Sequence, residues 1–143
     1  MIEIKDKNGL REICDKLKCV KDCPIDEQSF YFHLYAGLLN KQIFSYATYK
    51  DGQMNGCLVL SLGKDLSSDL ILYLVFVWID KHCPKLWKEY VEFTEKKAKE
   101  LGVNRILINT KRNPKVIERK LGKYGYKEKY VIFEKEVKIN DRL

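Results

Sequence analysis

The chain has 143 residues, of which 45% are hydrophobic and 33% are charged, a composition typical of one globular domain over residues 1–143. Its longest apolar run, Leu70–Ile79, is shorter than the roughly 18 residues that cross a bilayer. The N-terminus also lacks the apolar core of a signal peptide, so we expect a cytoplasmic protein with no membrane segment. The net charge of +7 is uneven, because residues 1–80 carry 9 Lys and Arg against 11 Asp and Glu, whereas residues 81–143 carry 18 against 9.

The first half of the chain predicts an edge strand, two helices and a hairpin. Asn8 is a plausible N-cap for the first helix, since apolar residues at helical spacing follow it. Asp51-Gly52 is a strong tight-turn signal between two runs of alternating residues. The predicted elements are Met1–Lys5, a helix beginning near Asn8, Glu27–Asn40, Ile43–Tyr49 and Gln53–Ser61.

The second half begins with the pattern of a βαβ unit. The apolar strand Leu70–Ile79 is followed by a polar joint, Asp80–Cys83, and a long helix that Pro84 opens. A second apolar strand, Arg105–Asn109, comes after that helix. Near-continuous apolar strands with a crossover helix between them predict parallel pairing in a covered sheet. We also expect Trp87, Val91, Thr94, Ala98 and Leu101 to form the buried stripe of the helix.

The chain then predicts a loop, a helix and a last strand. These are Thr110–Asn113, a helix that Pro114 opens, and Lys129–Val137. The full order is β-α-α-β-β-β-α-β-α-β. The predicted fold class is α/β, with a mixed sheet that is antiparallel in its N-terminal part and parallel around the crossover helix.

The five cysteines do not predict a disulfide framework or a metal site. Their number is odd and their spacing irregular, which suits reduced thiols. The first three lack the paired C-x2-C spacing of structural zinc, even with His33 as a fourth ligand. The cysteines are Cys14, Cys19, Cys23, Cys57 and Cys83.

The joint after the first βαβ strand is a candidate anion site. With Pro84 at the first helical position, Cys83 is the expected N-cap, and the amides of Lys85, Leu86 and Trp87 are expected to lack partners. Such amides can bind phosphate. The cationic side chains near this end are Lys81, His82, Lys85 and Lys88. The alternative is that these lysines extend into solvent.

Several fragments together resemble the GNAT superfamily of acyl-CoA-dependent N-acyltransferases. They are the hairpin Asp51–Gly56, the strand end Phe76–Asp80, the helix end Ala98–Gly102, Asn113, and the closing segment Lys120–Tyr126. The resemblance implies a GNAT-like mixed sheet, and an acetyl group transferred from acetyl-CoA to an amine.

The same resemblance places the cofactor and departs from the family at two points. The pyrophosphate loop Arg/Gln-x-x-Gly-x-Gly/Ala falls on His82–Trp87, where Lys85 and Trp87 replace the glycines. The family's general-acid Tyr falls on Leu121. The implied acetyl-CoA-binding residues are Val77, Ile79, His82, Cys83, Lys85, Leu86, Trp87 and Asn113.

The sequence leaves several candidates for the residues that transfer protons. We assign Asp80 to accept the proton of the amine and Tyr124 to donate one to the thiolate, with Glu89, His82 and Tyr126 as further candidates. A second hypothesis remains, that of a catalytically silent GNAT-like module that binds a protein or nucleic acid through the basic C-terminal half.

Overall fold

In the computed structural model the described residues are 1–20, 23–64, 68–109, 114–129 and 132–139. Within these ranges the chain forms five strands and four α-helices. They are β1 (Ile2–Glu3), α1 (Lys7–Asp15), α2 (Glu27–Leu39), β2 (Ile43–Lys50), β3 (Gln53–Lys64), β4 (Leu70–Ile79), α3 (Leu86–Glu100), β5 (Ile106–Ile108) and α4 (Pro114–Leu121). By their contacts the residues divide into two units, Met1–Asn109 and Thr110–Leu143. The prediction of a single domain stays a prediction.

The five strands form one sheet in the order β1-β2-β3-β4-β5. All neighbours are antiparallel except β4 and β5, which are parallel with Leu72 opposite Ile106 and Leu74 opposite Ile108. The antiparallel N-terminal part and the parallel crossover are therefore confirmed. The bounds predicted for β4 match those observed.

The sheet has a separate hydrophobic core on each face. Helices α1 and α2 contribute Leu10, Ile13 and Leu34 to one core, with Phe76 and half-buried Trp78 from β4. The other core contains residues of α3, and Val77 and Ile79 pack against it. In α3 the predicted stripe is confirmed at Val91, Thr94 and Ala98, which are buried, whereas Trp87 and Leu101 are half-buried. Tyr90 of the same helix is buried as well.

A β-bulge in β4 decides which of its side chains reach each core. Leu60 of β3 stands opposite Leu74, but the next pair inward is Val59 with Phe76, so Val75 is an extra residue on β4. An extra residue reverses the alternation of side chains along the strand. This reversal puts Val77 on the same face as α3 and leaves Phe76 on the face of α1 and α2.

Two helix starts differ from the prediction. Helix α1 is capped by Asp6, whose carboxylate accepts from the Gly9 amide at 3.0 Å, and not by Asn8. Asp6 is the better cap because its backbone is extended while its side chain reaches the third residue on. Helix α3 begins at Leu86 with Lys85 as its N-cap, so the predicted cap at Cys83 is wrong.

The second unit contains α4 and a 3₁₀ turn, Gly122–Tyr124. The predicted strand Lys129–Val137 is wrong for its described part, since residues 132–137 form no strand and Phe133 is 94% exposed. Strand-type residues alone do not make a strand, because the backbone also needs a partner to complete its hydrogen bonds. The predicted loop Thr110–Asn113 lies outside the described residues. In the part of the chain that is described, no helix is long and apolar enough to span a membrane.

Candidate functional site

The edge of β4 that faces β5 is paired over only part of its length. Strand β3 pairs with β4 from Leu70 to Ile79, whereas β5 reaches only from Leu72 to Leu74. Beyond that point, no other described strand lies along this edge of Val75–Ile79. Backbone groups that point out of such an edge are available to an extended ligand.

The joint after β4 is a tight turn built on Asp80. A carboxylate oxygen of Asp80 accepts from the amide of His82 at 2.9 Å, and its backbone carbonyl accepts from the amide of Cys83, also at 2.9 Å. This is the local hydrogen-bonding pattern for which Asp is favoured in turns. The amide of Asp80 in turn donates to the Asn55 carbonyl at 2.9 Å, which ties the turn to β3.

The first amides of α3 are not available in the way that the sequence predicted. The Leu86 amide donates to the Cys83 carbonyl at 3.1 Å, and the Trp87 amide donates to the Pro84 carbonyl at 3.3 Å. Both bonds span three residues, a tightened form of helical turn that uses donors otherwise left without partners. The prediction of unpartnered amides at Leu86 and Trp87 is therefore wrong.

The hydrogen bonds of residues 82–87 decide whether this segment can bind the diphosphate of coenzyme A. A diphosphate held at a helix N-terminus needs backbone amides that point at it. Of the six positions His82–Trp87, four donate their amide N–H to oxygen atoms of residues 80–84, and Pro84 has no N–H to give. The edge of β4 thus fits the arm of an acyl-CoA, whereas the joint does not fit its diphosphate as an amide cradle.

The predicted site residues around the turn differ in solvent exposure. Val77, Ile79, Cys83, Leu86 and Trp87 are half-buried. The charged side chains around the turn are exposed, and the ammonium of Lys88 lies 3.9 Å from the Glu92 carboxylate. The exposed charged residues are Lys81, His82, Lys85 and Lys88.

Asn55 is a site residue that the sequence analysis missed. It is the extra residue where β3 bulges against β2, since Thr48 pairs with Gly56 but Tyr49 pairs with Met54. Its side-chain amide donates to the Cys83 sulfur at 3.9 Å, and its buried Oδ1 has no hydrogen-bond partner among the described residues. A buried acceptor without a partner is uncommon in folded proteins. A polar residue inside an otherwise apolar strand was the available signal.

Tyr90 fixes α3 to the sheet next to this turn. Its hydroxyl lies 2.7 Å from the Thr48 hydroxyl. A Cβ added at Gly56 would overlap the Tyr90 hydroxyl and would lie 2.9 Å from Tyr90 Cζ. Only glycine at this position leaves room for the tyrosine. Burial raises the pKa of Tyr90 far above its usual value, which keeps the hydroxyl protonated and structural.

The remaining predicted site residues belong to the second unit. Tyr124 is half-buried in the 3₁₀ turn, with the Lys123 ammonium 5.1 Å from the centre of its ring. Leu121, at the position of the family's general acid, is buried. Asn113 lies outside the described residues, and its assignment stays a prediction.

The cysteines show no clustered metal-ligand arrangement. Among the described residues, no group of three or more His, Cys, Asp and Glu side chains is placed to hold a metal ion. Cys14 and Cys57 are buried, and burial raises the pKa of the Cys57 thiol to about 12 and that of Cys14 to about 11.

Comparison with solved structures identifies the fold. An aminoglycoside 6′-N-acetyltransferase from Acinetobacter haemolyticus superposes with a TM-score of 0.74 at 14% identity, covering 96% of this chain and 98% of that one. A predicted acetyltransferase from Clostridium acetobutylicum, solved with acetyl-CoA, gives 0.72 at 13% identity, covering 92% and 90%. The ribosomal-protein-alanine N-acetyltransferase of Brucella melitensis biovar Abortus 2308 gives 0.70 at 12% identity, covering 95% and 98%.

The comparisons made with the sequence give no such likeness. No protein-family model matches the chain, and no curated protein matches it. At identities of 12–14% the structural likeness extends to the fold and not to a substrate. The mixed sheet, its single parallel pair and the matches over nearly the whole chain give one conclusion: the protein has the fold of the GNAT acetyltransferases.

Proposed function

We propose that the protein is an N-acyltransferase that moves an acetyl group from acetyl-CoA to an amine. The proposal is carried by one observation in a GNAT fold: at Val75–Ile79, one edge of β4 has no neighbour among the described strands. Of the three structural neighbours described above, one contains acetyl-CoA, one is an aminoglycoside N-acetyltransferase and one is a ribosomal-protein-alanine N-acetyltransferase. The amine acceptor and the cytoplasmic location stay predictions.

The reaction requires two proton transfers. The amine nitrogen attacks the thioester carbon, a C–N bond forms and the C–S bond breaks. The amine loses a proton and the departing thiolate gains one. We assign Asp80 to accept the first proton and Tyr124 to donate the second. Asp80 is suited to this role because it stands at the carboxyl end of β4, where its own turn fixes its carboxylate.

The other assigned residues serve binding. The backbone of Val77 and Ile79 would pair with the amide-bearing arm of the donor. The arm would be surrounded, where it leaves the strand, by His82, Cys83, Lys85, Leu86 and Trp87. Asn113 is also assigned to donor binding. Excluding water there would protect the thioester and strengthen the electrostatic contacts.

The test combines binding with transfer. Acetyl-CoA at 100 times its dissociation constant should add about 2.7 kcal/mol to the free energy of unfolding, measured as a rise in Tm. Release of the free thiol in the presence of a panel of primary amines should report transfer. Absence of both contradicts the proposal and leaves the alternative module that binds protein or nucleic acid through the basic half.

Matched variants at Asp80 separate chemistry from structure. Asp80→Asn keeps an oxygen that can accept from the His82 amide, so the Tm should stay unchanged while transfer falls roughly 10²–10⁴-fold. Asp80→Ala should lower both, because the turn loses its acceptor. Tyr124→Phe should lower transfer without affecting donor binding. Unchanged turnover in Asp80→Asn or Tyr124→Phe removes that residue from the mechanism.

A further inference from the structure

We infer that the donor is recognised through its pantetheine arm, and that the nucleotide diphosphate of coenzyme A contributes little to binding. The inference rests on the proposed function and concerns which part of the donor the protein holds. Its ligand class is therefore a pantetheine thioester, with or without the nucleotide attached.

The joint has almost no amide to offer a phosphate. His82 and Cys83 donate to Asp80, and Leu86 and Trp87 donate to the carbonyls of Cys83 and Pro84. Pro84 carries no N–H at all. Of the six positions that the family uses for the diphosphate, only Lys85 is outside these contacts. A diphosphate could recruit the others only by breaking bonds that hold the turn together.

The lysines of the joint do not replace those amides. Lys81, Lys85 and Lys88 are exposed, so their attraction for a phosphate is screened by water and salt. Lys88 also lies beside Glu92, which offsets its charge. An exposed ion pair contributes at most a few-fold to an equilibrium constant, far less than a preformed amide cradle.

The edge of β4 offers what the joint lacks. From Val75 to Ile79 it extends about 13 Å at the usual rise of a strand, and no other described strand pairs with it on this side. A pantetheine arm is an extended chain with two amide groups, so it can add to the edge as a short strand does. The half-buried Val77 and Ile79 give this edge a rigid position, because they pack into the core beneath α3.

The experiment measures binding of coenzyme A, 4′-phosphopantetheine and pantetheine by calorimetry at 150 mM salt. The inference predicts dissociation constants within about tenfold of one another. Coenzyme A binding more than about 100-fold tighter than pantetheine overturns the inference but leaves the proposed function intact. Failure of all three to bind overturns the inference together with the proposed function.

A charge-reversal pair decides whether Lys85 holds the diphosphate. Lys85→Glu should change the ratio of coenzyme A to pantetheine affinity by less than about threefold, as should Lys99→Glu, an exposed lysine in the last turn of the same helix. A selective loss of coenzyme A binding in Lys85→Glu, with Lys99→Glu unaffected, shows that the joint does bind the diphosphate and overturns the inference.

Discussion

Strand β4 and the turn that follows it contrast in what their backbones leave free. After Leu74, the strand keeps one edge without a neighbour among the described strands, so its backbone groups remain open to a ligand. After Ile79, the chain folds back on itself and uses nearly every amide in a turn of its own. Ligand-binding capacity in this fold therefore depends on which backbone groups the chain has not already used.

The largest expected effect comes from removing the bulge that sets the two faces of β4. Inserting one alanine between Val59 and Leu60 of β3 would give Val75 a partner and restore simple alternation. Phe76 would then turn toward α3, and Val77 and Ile79 would leave the core beneath it. Since burial of each such side chain contributes roughly 1.5–3 kcal/mol, we expect loss of the cooperative unfolding transition, measured by circular dichroism in urea.

A substitution at Val75 is the control for that insertion. Val75→Thr keeps the residue count and the β-propensity, and Val75 is 37% exposed, so the free energy of unfolding should change by less than about 1 kcal/mol. An insertion variant that unfolds at the urea concentration of the parent would show that the bulge does not set the faces of β4.

A smaller effect is expected on the paired side of β4, where Gly56 stands opposite Ile79. Gly56→Ala would place a methyl group against the Tyr90 hydroxyl and should cost about 1–3 kcal/mol in urea unfolding. The cost should be smaller in a Tyr90→Phe background, because the nearest atom is then absent. Gly122→Ala is the control, since its Cβ would have an ordinary contact at 3.7 Å.

Equal costs of Gly56→Ala in both backgrounds would contradict the assigned contact. Such a result would mean that Tyr90 does not limit the space above Gly56. The anchoring of α3 next to the joint would then have another origin.

The smallest expected effect is a dependence of stability on alkaline pH through Cys57, which stands opposite Trp78 on the paired side. Unfolded thiols lose their protons near pH 9.0, whereas burial raises the folded pKa to about 12. The unfolded state therefore binds fewer protons above pH 9, and stability falls from there until pH 12. Near pH 10 this thiol lowers the free energy of unfolding by about 1 kcal/mol.

The measurement compares urea unfolding at pH 8 and pH 10 under reducing conditions. Cys57→Ala should show a smaller loss of stability between the two pH values than the parent, whatever its cost at pH 8. Cys19→Ala, at an exposed position, should lose as much as the parent does. A Cys57→Ala protein with the full pH-dependent loss would show that this thiol is not buried as described.

Most of the fold could be predicted from the sequence because its signals are local. The apolar run of β4, the alternation of β2 and β3 around Asp51-Gly52, and the stripe at Val91, Thr94 and Ala98 each report burial through spacing. The strand predicted at residues 129–137 failed over its described part, since β-propensity there found no partner. The observed helix caps, Asp6 and Lys85, lie close to the predicted ones at Asn8 and Cys83. Local signals do not decide a helix boundary more finely than one or two residues.

By itself the sequence determined the order of elements as far as α4, the parallel crossover and the position of the joint, because these follow from hydrophobic periodicity and chain breaks. Only the tertiary structure decided the bulge at Val75, the hydrogen bond from the Asp80 amide to the Asn55 carbonyl, and the use of the amides at Leu86 and Trp87. These depend on which carbonyl or side chain lies opposite a given residue across strands and turns. The spacing of residue types along the chain does not reveal that pairing, which is seen only in the folded backbone.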